Sequence, residues 1–558
     1  MKFMPTTFQG MCFSVSCRSS VETSRSCSVT IASVVEASDI PAIVVLTEVE
    51  SVVSRRSCPV RVSVRESLLI RLRYPNGEDP KRGTVSTCLP RGTDTDVMNV
   101  ANDINHFDMN DADTALHQRT PRRFDVAIIG GGSAGETLAS ELASSGRSVV
   151  MFEPALVGGE CPYLACMPTK AMLHDAAVGR AWPDAVRRRS DVVEHLDDAG
   201  HAAELERTGV VLVRSTARLV ADRTIEAASQ RYVADEIVIA TGSEAIRPPI
   251  TGLDDLGDRC WTSADAMTAR ERPTRLAIVG GGVIGCELAT IFARFGTEVH
   301  LLDAAATAFE ELPPEIGEIV DDALRAAGVR VRRGDAIDRV ERRGGGVRTT
   351  LETGACLDTD RLLIATGTRP RTGGLGLENV GIDPDQLRVG GSGRVEGAES
   401  LWAVGDVAGF GAYTHLANHQ ARVVAAMICG DRTRRFDEVV TPACVFTDPP
   451  ILTIGPTPSE LSDNDVLWST ARLSETPRWT TDELVDGFLA IAVDRESHTV
   501  VAAHGIGAGF DELAAALVTA IDGGLTVDHL ARSMWPFPTV GEVLGVVYSR
   551  AAAALASS

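Results

Sequence analysis

The sequence predicts an α/β protein: two doubly wound parallel-sheet units followed by an α+β segment. Two observations predict it. A strand, a glycine turn, a helix and a second strand occur in that order twice, with the copies offset by 150 residues. Beyond residue 436 no third glycine loop occurs, and strand-like runs give way to helical ones. At 558 residues the chain exceeds a single core, so several domains are required.

In the first copy, residues 124–129 read as a strand and Gly130-Gly131-Gly132-Ser133-Ala134-Gly135 as the turn. Residues 137–144 read as an alanine-rich helix closed by Gly146, and residues 148–152 as the next strand. The second copy runs through residues 276–279, Gly280-Gly281-Gly282-Val283-Ile284-Gly285, a helix to Phe295, Gly296, and residues 299–302. In both, 23 positions separate the first glycine from an acidic residue ending the second strand: Gly130 to Glu153, and Gly280 to Asp303. Each copy also leads to a later strand that closes on Ala-Thr-Gly, at Gly242 and Gly367. A lone glycine motif is weak; two in full strand–helix–strand context predict two Rossmann-like dinucleotide-binding domains. Gly130 and Gly280 permit the tight turn. Gly132 and Gly282 let a pyrophosphate approach the backbone, and Gly135 and Gly285 let helix pack on strand. The helix start offers N–H groups and positive dipole to phosphate. Glu153 and Asp303 are placed to accept hydrogen bonds from a ribose diol. No arginine follows Asp303 until Arg325, and an acid repels a 2′-phosphate, so NAD(H) is favoured over NADP(H) at the second site.

Residues 158–170, Gly-Gly-Glu-Cys-Pro-Tyr-Leu-Ala-Cys-Met-Pro-Thr-Lys, follow the first copy. Pro162 suits the first turn of a helix, which puts Cys161 near a helix N-terminus, where a thiol pKa falls. Cys166 is expected one turn on and deeper. Lys170 is one of three lysines against 51 arginines, so a compact ammonium here answers a specific need. In the tail, residues 443–446, 451–454, 488–493 and 500–504 read as strands. Residues 511–521, 529–534 and 540–554 read as helices.

The bulk properties exclude several function classes. The formal charge of −22 lies almost wholly beyond residue 120 and argues against a nucleic-acid partner. No run of eighteen apolar residues lacks a charge, so no membrane span is expected, and no signal peptide is recognisable. Twelve cysteines in this length are not a disulfide scaffold, which points to a reducing cytoplasm and a catalytic use for the close pair. Residues 1–120, rich in Ser, Val and Arg, show no sustained period. They are expected to be a disordered extension or sequence upstream of a true start at Met98 or Met109.

Taken together, residues 124–153, the Cys161–Lys170 segment, the two Ala-Thr-Gly strands and Leu401-Trp-Ala-Val-Gly-Asp-Val407 resemble the class I pyridine nucleotide-disulfide oxidoreductases, which include lipoamide dehydrogenase, glutathione reductase and mercuric reductase. The resemblance covers about residues 121–558. It implies FAD at the first site, held in part by Asp406, and the nicotinamide at the second. It implies a Cys161–Cys166 disulfide with Cys166 facing the flavin and Cys161 exchanging with a small disulfide or dithiol substrate. Glu287 matches the glutamate that pairs with the lysine, here Lys170. His415 and Gln420 are read as packing residues. The implied domains are 121–270 and 371–436 for FAD, 271–370 for NAD(P), and 437–558 for dimerisation into a homodimer. One departure stands out. The family's C-terminal His-Pro-Thr-x-x-Glu reads Phe537-Pro538-Thr539-Val540-Gly541-Glu542, so Glu542 remains and the histidine is absent. What replaces that base stays open; His529 lies about two helical turns upstream. Mercury reduction is disfavoured, because the chain ends without a cysteine pair and Cys12 and Cys17 are too far apart for a metal-binding Cys-x-x-Cys. Two alternatives to a disulfide oxidoreductase remain: a quinone or dye reductase working directly from the flavin, and a redox-sensing flavoprotein.

Overall fold

The computed structural model describes residues 121–557 and the backbone of four N-terminal strands, in two separate units, Met1–Phe107 and Asp108–Ser558. In the first unit, Met11–Arg18, Arg25–Ala37, Ile40–Val53 and Val62–Ser67 pair in sequence order as an antiparallel sheet. The sequence reading found no strand period there. The β-branched runs at Val29, Thr30, Ile31, Val34 and Val35, and at Ile43, Val44 and Val45, favour a pleated backbone without strict alternation. Met98 and Met109 lie outside the described residues.

In the second unit, strand Arg122–Ile129 has Val149–Phe152 on one side, with Val211–Val213 beyond it. On its other side lies Gln230–Ile239, which also takes Leu401–Ala403 as a parallel neighbour. The chain therefore returns to this sheet after an excursion of more than 150 residues, because the edge of Gln230–Ile239 is otherwise open there. Alternate residues of the central strand feed two cores. Val126 and Ile128 join Leu138, Leu142 and Trp402, whereas Ala127 and Ile129 join Ile237, Ile239 and Leu377. All four of those strand residues are buried, as a parallel sheet covered on both faces requires.

The excursion is the second copy. Five parallel strands run in the order Cys260–Trp261, Arg361–Ile364, Arg275–Val279, Glu298–Asp303, Arg330–Arg333. Leu276 and Ile278 pack to one core and Ala277 and Val279 to the other. Short strands Ser243–Ala245 and Thr368–Pro370 pair across the two crossings between the sheets.

The tail is a five-stranded antiparallel sheet backed by helices Phe510–Asp522 and Glu542–Leu555. Its edge strand Val466–Arg472 is absent from the sequence reading. The turn-rich residues on both sides, and Trp468 and Ser469 in place of a clean alternation, hide it. Among the described residues no helix is long and apolar enough to cross a membrane.

Candidate active site

The two glycine turns are built alike. Gly130 has φ +107° and Gly280 φ +100°; a side chain on either would run into the carbonyl of Ala240 or Ala365 respectively. A Cβ on Gly135 or Gly285 would enter the carbonyl of the first glycine of its own turn. The middle glycines differ. A Cβ on Gly282 would meet nothing within 4 Å, and one on Gly132 only the Cα of Gly159 at 3.8 Å. Four glycines thus serve internal packing, and two leave open a cradle at the start of helices Ser133–Ser144 and Val283–Arg294. That opening, facing unpaired first-turn N–H groups, is the shape and polarity a dinucleotide pyrophosphate needs.

The acidic partners follow the same plan. Glu153 accepts from the N–H of Gly131 and of Ala155, both at 2.7 Å. Asp303 accepts from Gly281 at 3.1 Å and Ala305 at 3.2 Å. Its environment is less simple than the sequence suggested. Arg333 sits opposite Asp303 on the adjacent strand and donates to its carboxylate at 2.6 Å. Only the tertiary pairing of strands brings it there. Its guanidinium is 5% exposed and is also held by Asp321 through contacts of 2.8 to 3.1 Å. Asp303 is thus partly neutralised, and the arginine beside it is committed inward. Asp406 accepts from Ser243 at 2.7 Å. Gly242 and Gly367 both have positive φ and end the two Ala-Thr-Gly segments where the chain crosses between sheets.

Cys161 lies within a single helical turn, Glu160–Tyr163, and Cys166 is the first residue of the twelve-residue helix Cys166–Ala177. Both are part-buried free thiols. The expected lowering of the Cys161 pKa is corrected by this break in the helix. Cys166, not Cys161, gains the N-terminus of the longer helix and Lys170 one turn on. A hydrogen bond from Cys161 holds the Cys166 thiolate, and with help from Thr414 and Lys170 its pKa falls to about 6 despite burial. Thr414 Oγ1 lies 3.7 Å from the Cys166 sulfur. Donating that hydrogen bond, with burial added, pushes Cys161 well above the ordinary thiol range.

Lys170 Nζ donates to both carboxylate oxygens of Glu287, at 2.8 and 3.0 Å. Glu287 is 5% exposed and also accepts from the Phe446 N–H at 2.9 Å, and the ammonium rests over the Phe446 ring at 4.6 Å. This pair ties the cysteine helix to the second nucleotide helix and to the tail. Thr414 and Phe446 were missed in the sequence because neither belongs to a spaced motif. Gln420 is fully buried and accepts from the Gly405 N–H at 2.7 Å, and His415 donates to the Pro442 carbonyl at 2.8 Å. Glu542 is not brought to the cysteines within the chain. It borders a different cavity with Trp535 and Gly545, and Phe537 is 73% exposed.

Two nucleotide cradles, a dithiol at a helix start and a lysine–glutamate pair between them define a protein class that can hold two dinucleotides beside a pair of thiols. Comparison with known proteins gives the family. Residues 124–427 match the pyridine nucleotide-disulphide oxidoreductase family, and residues 441–547 match its dimerisation domain. The chain belongs to this family of FAD- and pyridine-nucleotide-dependent disulfide oxidoreductases. It is 32% identical to a mercuric reductase of Streptomyces lividans, across 75% of this chain and 94% of that protein. It is 29% identical to a dihydrolipoyl dehydrogenase of Pseudomonas aeruginosa, across 75% and 95%. Among solved structures, the HOCl-induced flavoprotein disulfide reductase RclA of Escherichia coli superposes with a TM-score of 0.70 at 28% identity, covering 76% of this chain and 99% of that one.

Proposed function

We propose that the protein is an NADH-dependent reductase of a small disulfide, working through the Cys161–Cys166 pair as a homodimer in a reducing cytoplasm. The observation that carries this reading is the placement of the pair: Cys166 opens the helix Cys166–Ala177 beside Thr414, with the Lys170–Glu287 pair one turn on, and Cys161 lies in the short turn just before it. FAD at the Gly130–Gly135 turn would supply two-electron hydride exchange with a nicotinamide held at the Gly280–Gly285 turn. Gly132, Glu153, Asp406 and the first turn of Ser133–Ser144 would hold the flavin nucleotide. Gly282 and Asp303 would hold the other, with Asp303 disfavouring a 2′-phosphate. Lys170, fixed by Glu287, places a positive charge by the Cys166 thiolate. Met534 and Phe537 are 96% and 73% exposed, apolar surface that a second copy would cover.

The test is anaerobic titration with NADH. A long-wavelength band from the Cys166 thiolate is expected at two-electron reduction and is lost in Cys166→Ser; an identical band in that variant would refute the relay. NADPH in place of NADH checks the Asp303 argument. A second reading, quinone reduction directly from the flavin, is favoured by one observation: Phe537 stands where the family histidine would carry a proton. In that case Cys161→Ser leaves quinone reduction intact and has no disulfide activity to lose.

A further inference from the structure

Phe537 leaves the thiol pair without the family's C-terminal acid, yet thiol exchange needs a proton taken and returned. The structure offers one elsewhere. A cavity of about 200 Å³ beside the cysteine segment is bordered by Cys161 and not by Cys166. The same cavity is bordered by His201, its one imidazole, and by Glu136. His201 comes from helix Ala199–Arg207, and Glu136 from the first turn of helix Ser133–Ser144. Their contact, Nδ1 to Oε1, is 2.6 Å. His201 remains one-third exposed, and its ring lies edge-on to Tyr163, whose hydroxyl is buried. A carboxylate fixing Nδ1 sets the tautomer, which leaves Nε2 for proton transfer.

We infer that His201, oriented by Glu136, is the acid–base group for thiol exchange at Cys161, and that this cavity admits a small polar disulfide. The inference rests on the function proposed above. Starting from the thiol–thiolate pair, His201 takes the proton of Cys161, and the Cys161 sulfur attacks one sulfur of R–S–S–R. The S–S bond of the substrate breaks, Cys161–S–S–R forms, and the expelled RS⁻ receives the proton from His201. The Cys166 sulfur then attacks Cys161, re-forming the protein disulfide. The second RS⁻ takes a proton from solvent, because Cys166 enters as the thiolate. Two electrons have passed from the thiol–thiolate pair to the substrate, and the hydride of reduced pyridine nucleotide restores that pair. The cavity walls suit this substrate class: the Thr137 hydroxyl and the Asn418 amide for polar groups, and Met167 and Pro162 for the sulfur atoms.

The test uses 2-hydroxyethyl disulfide and the full-length flavoprotein. His201→Ala should slow single-turnover release of 2-mercaptoethanol by about 10²-fold, with added imidazole restoring much of the rate. Iodoacetamide alkylation of Cys161 at pH 7 in the reduced protein should slow in the same variant, and Glu136→Gln should fall between it and wild type. NADH-driven quinone reduction should stay within about twofold, which separates a lost proton carrier from a misfolded protein. A wild-type exchange rate in His201→Ala, or a loss that imidazole leaves unchanged, overturns the inference. Cys161→Ser isolates the underlying reading: if that variant still reduces the disulfide, the relay itself is wrong whatever His201 does.

Discussion

Removing the hydrogen-bond donor at Cys161 should unmask how Cys166 is tuned. The Cys166 pKa lies at about 6 against 9.0 for an ordinary thiol, and the largest cause is the hydrogen bond from Cys161. At pH 7 a thiol of pKa 6 is about 90% thiolate, and one of pKa 9 about 1%. Burial opposes ionisation, while Thr414 and Lys170 favour it more weakly than Cys161 does. In Cys161→Ala the midpoint should therefore climb toward 9, because burial is then opposed only by the weaker effects of Thr414, Lys170 and the Cys166 N–H. Thiolate absorbance near 240 nm, read between pH 4 and 10 as the difference from Cys166→Ser, isolates this group from the other cysteines. Burial raises Cys260, Cys286 and Cys444, which keeps those thiols out of the window near pH 6. A midpoint that stays near 6 in Cys161→Ala would refute the assignment of the hydrogen bond as the main cause. A low midpoint carried by Cys161 would reverse the roles of the two sulfurs.

Two further outcomes are expected. Gly285→Ala drives a Cβ into the Gly280 carbonyl and should cost about 1–3 kcal/mol in urea unfolding, whereas Gly282→Ala meets open space and should unfold like wild type while losing NADH affinity by equilibrium titration. Equal stability losses in both would contradict the division of labour between the glycines. Glu287→Leu strands the Lys170 ammonium and the Phe446 N–H; since Lys170 is 37% exposed, the cost should be about 1–3 kcal/mol rather than the about 3–5 of a fully buried pair. Lys170→Met in the same chain should recover part of that loss, and a strictly additive double variant would show that the pair is not coupled.

Much of the site was legible in the chain because its parts are local. A glycine turn, its helix and the acid 23 residues on lie within one strand–helix–strand unit, so spacing alone singled out Gly130, Gly132, Gly135 and Glu153, and Gly280, Gly282, Gly285 and Asp303 as candidates. The cysteine segment was equally local. Its electrostatics were not: a break after Tyr163 restarts the helix at Cys166, and a one-turn helix cannot be distinguished from a longer one by Pro162 alone. The return of Leu401–Ala403 to the first sheet was likewise expected only through family resemblance.

The sequence by itself determined that two dinucleotide folds flank a thiol pair, because those motifs are contiguous and governed by short-range backbone geometry. The tertiary structure alone decided what faces that pair and its nucleotide acids. Arg333 reaches Asp303 across a parallel strand pairing, Thr414 reaches Cys166 from 248 residues away, and His201 meets Glu136 between two helices. These contacts join side chains whose separation along the chain carries no periodic signal. They exist only once the sheets have ordered their strands and the helices have packed against them.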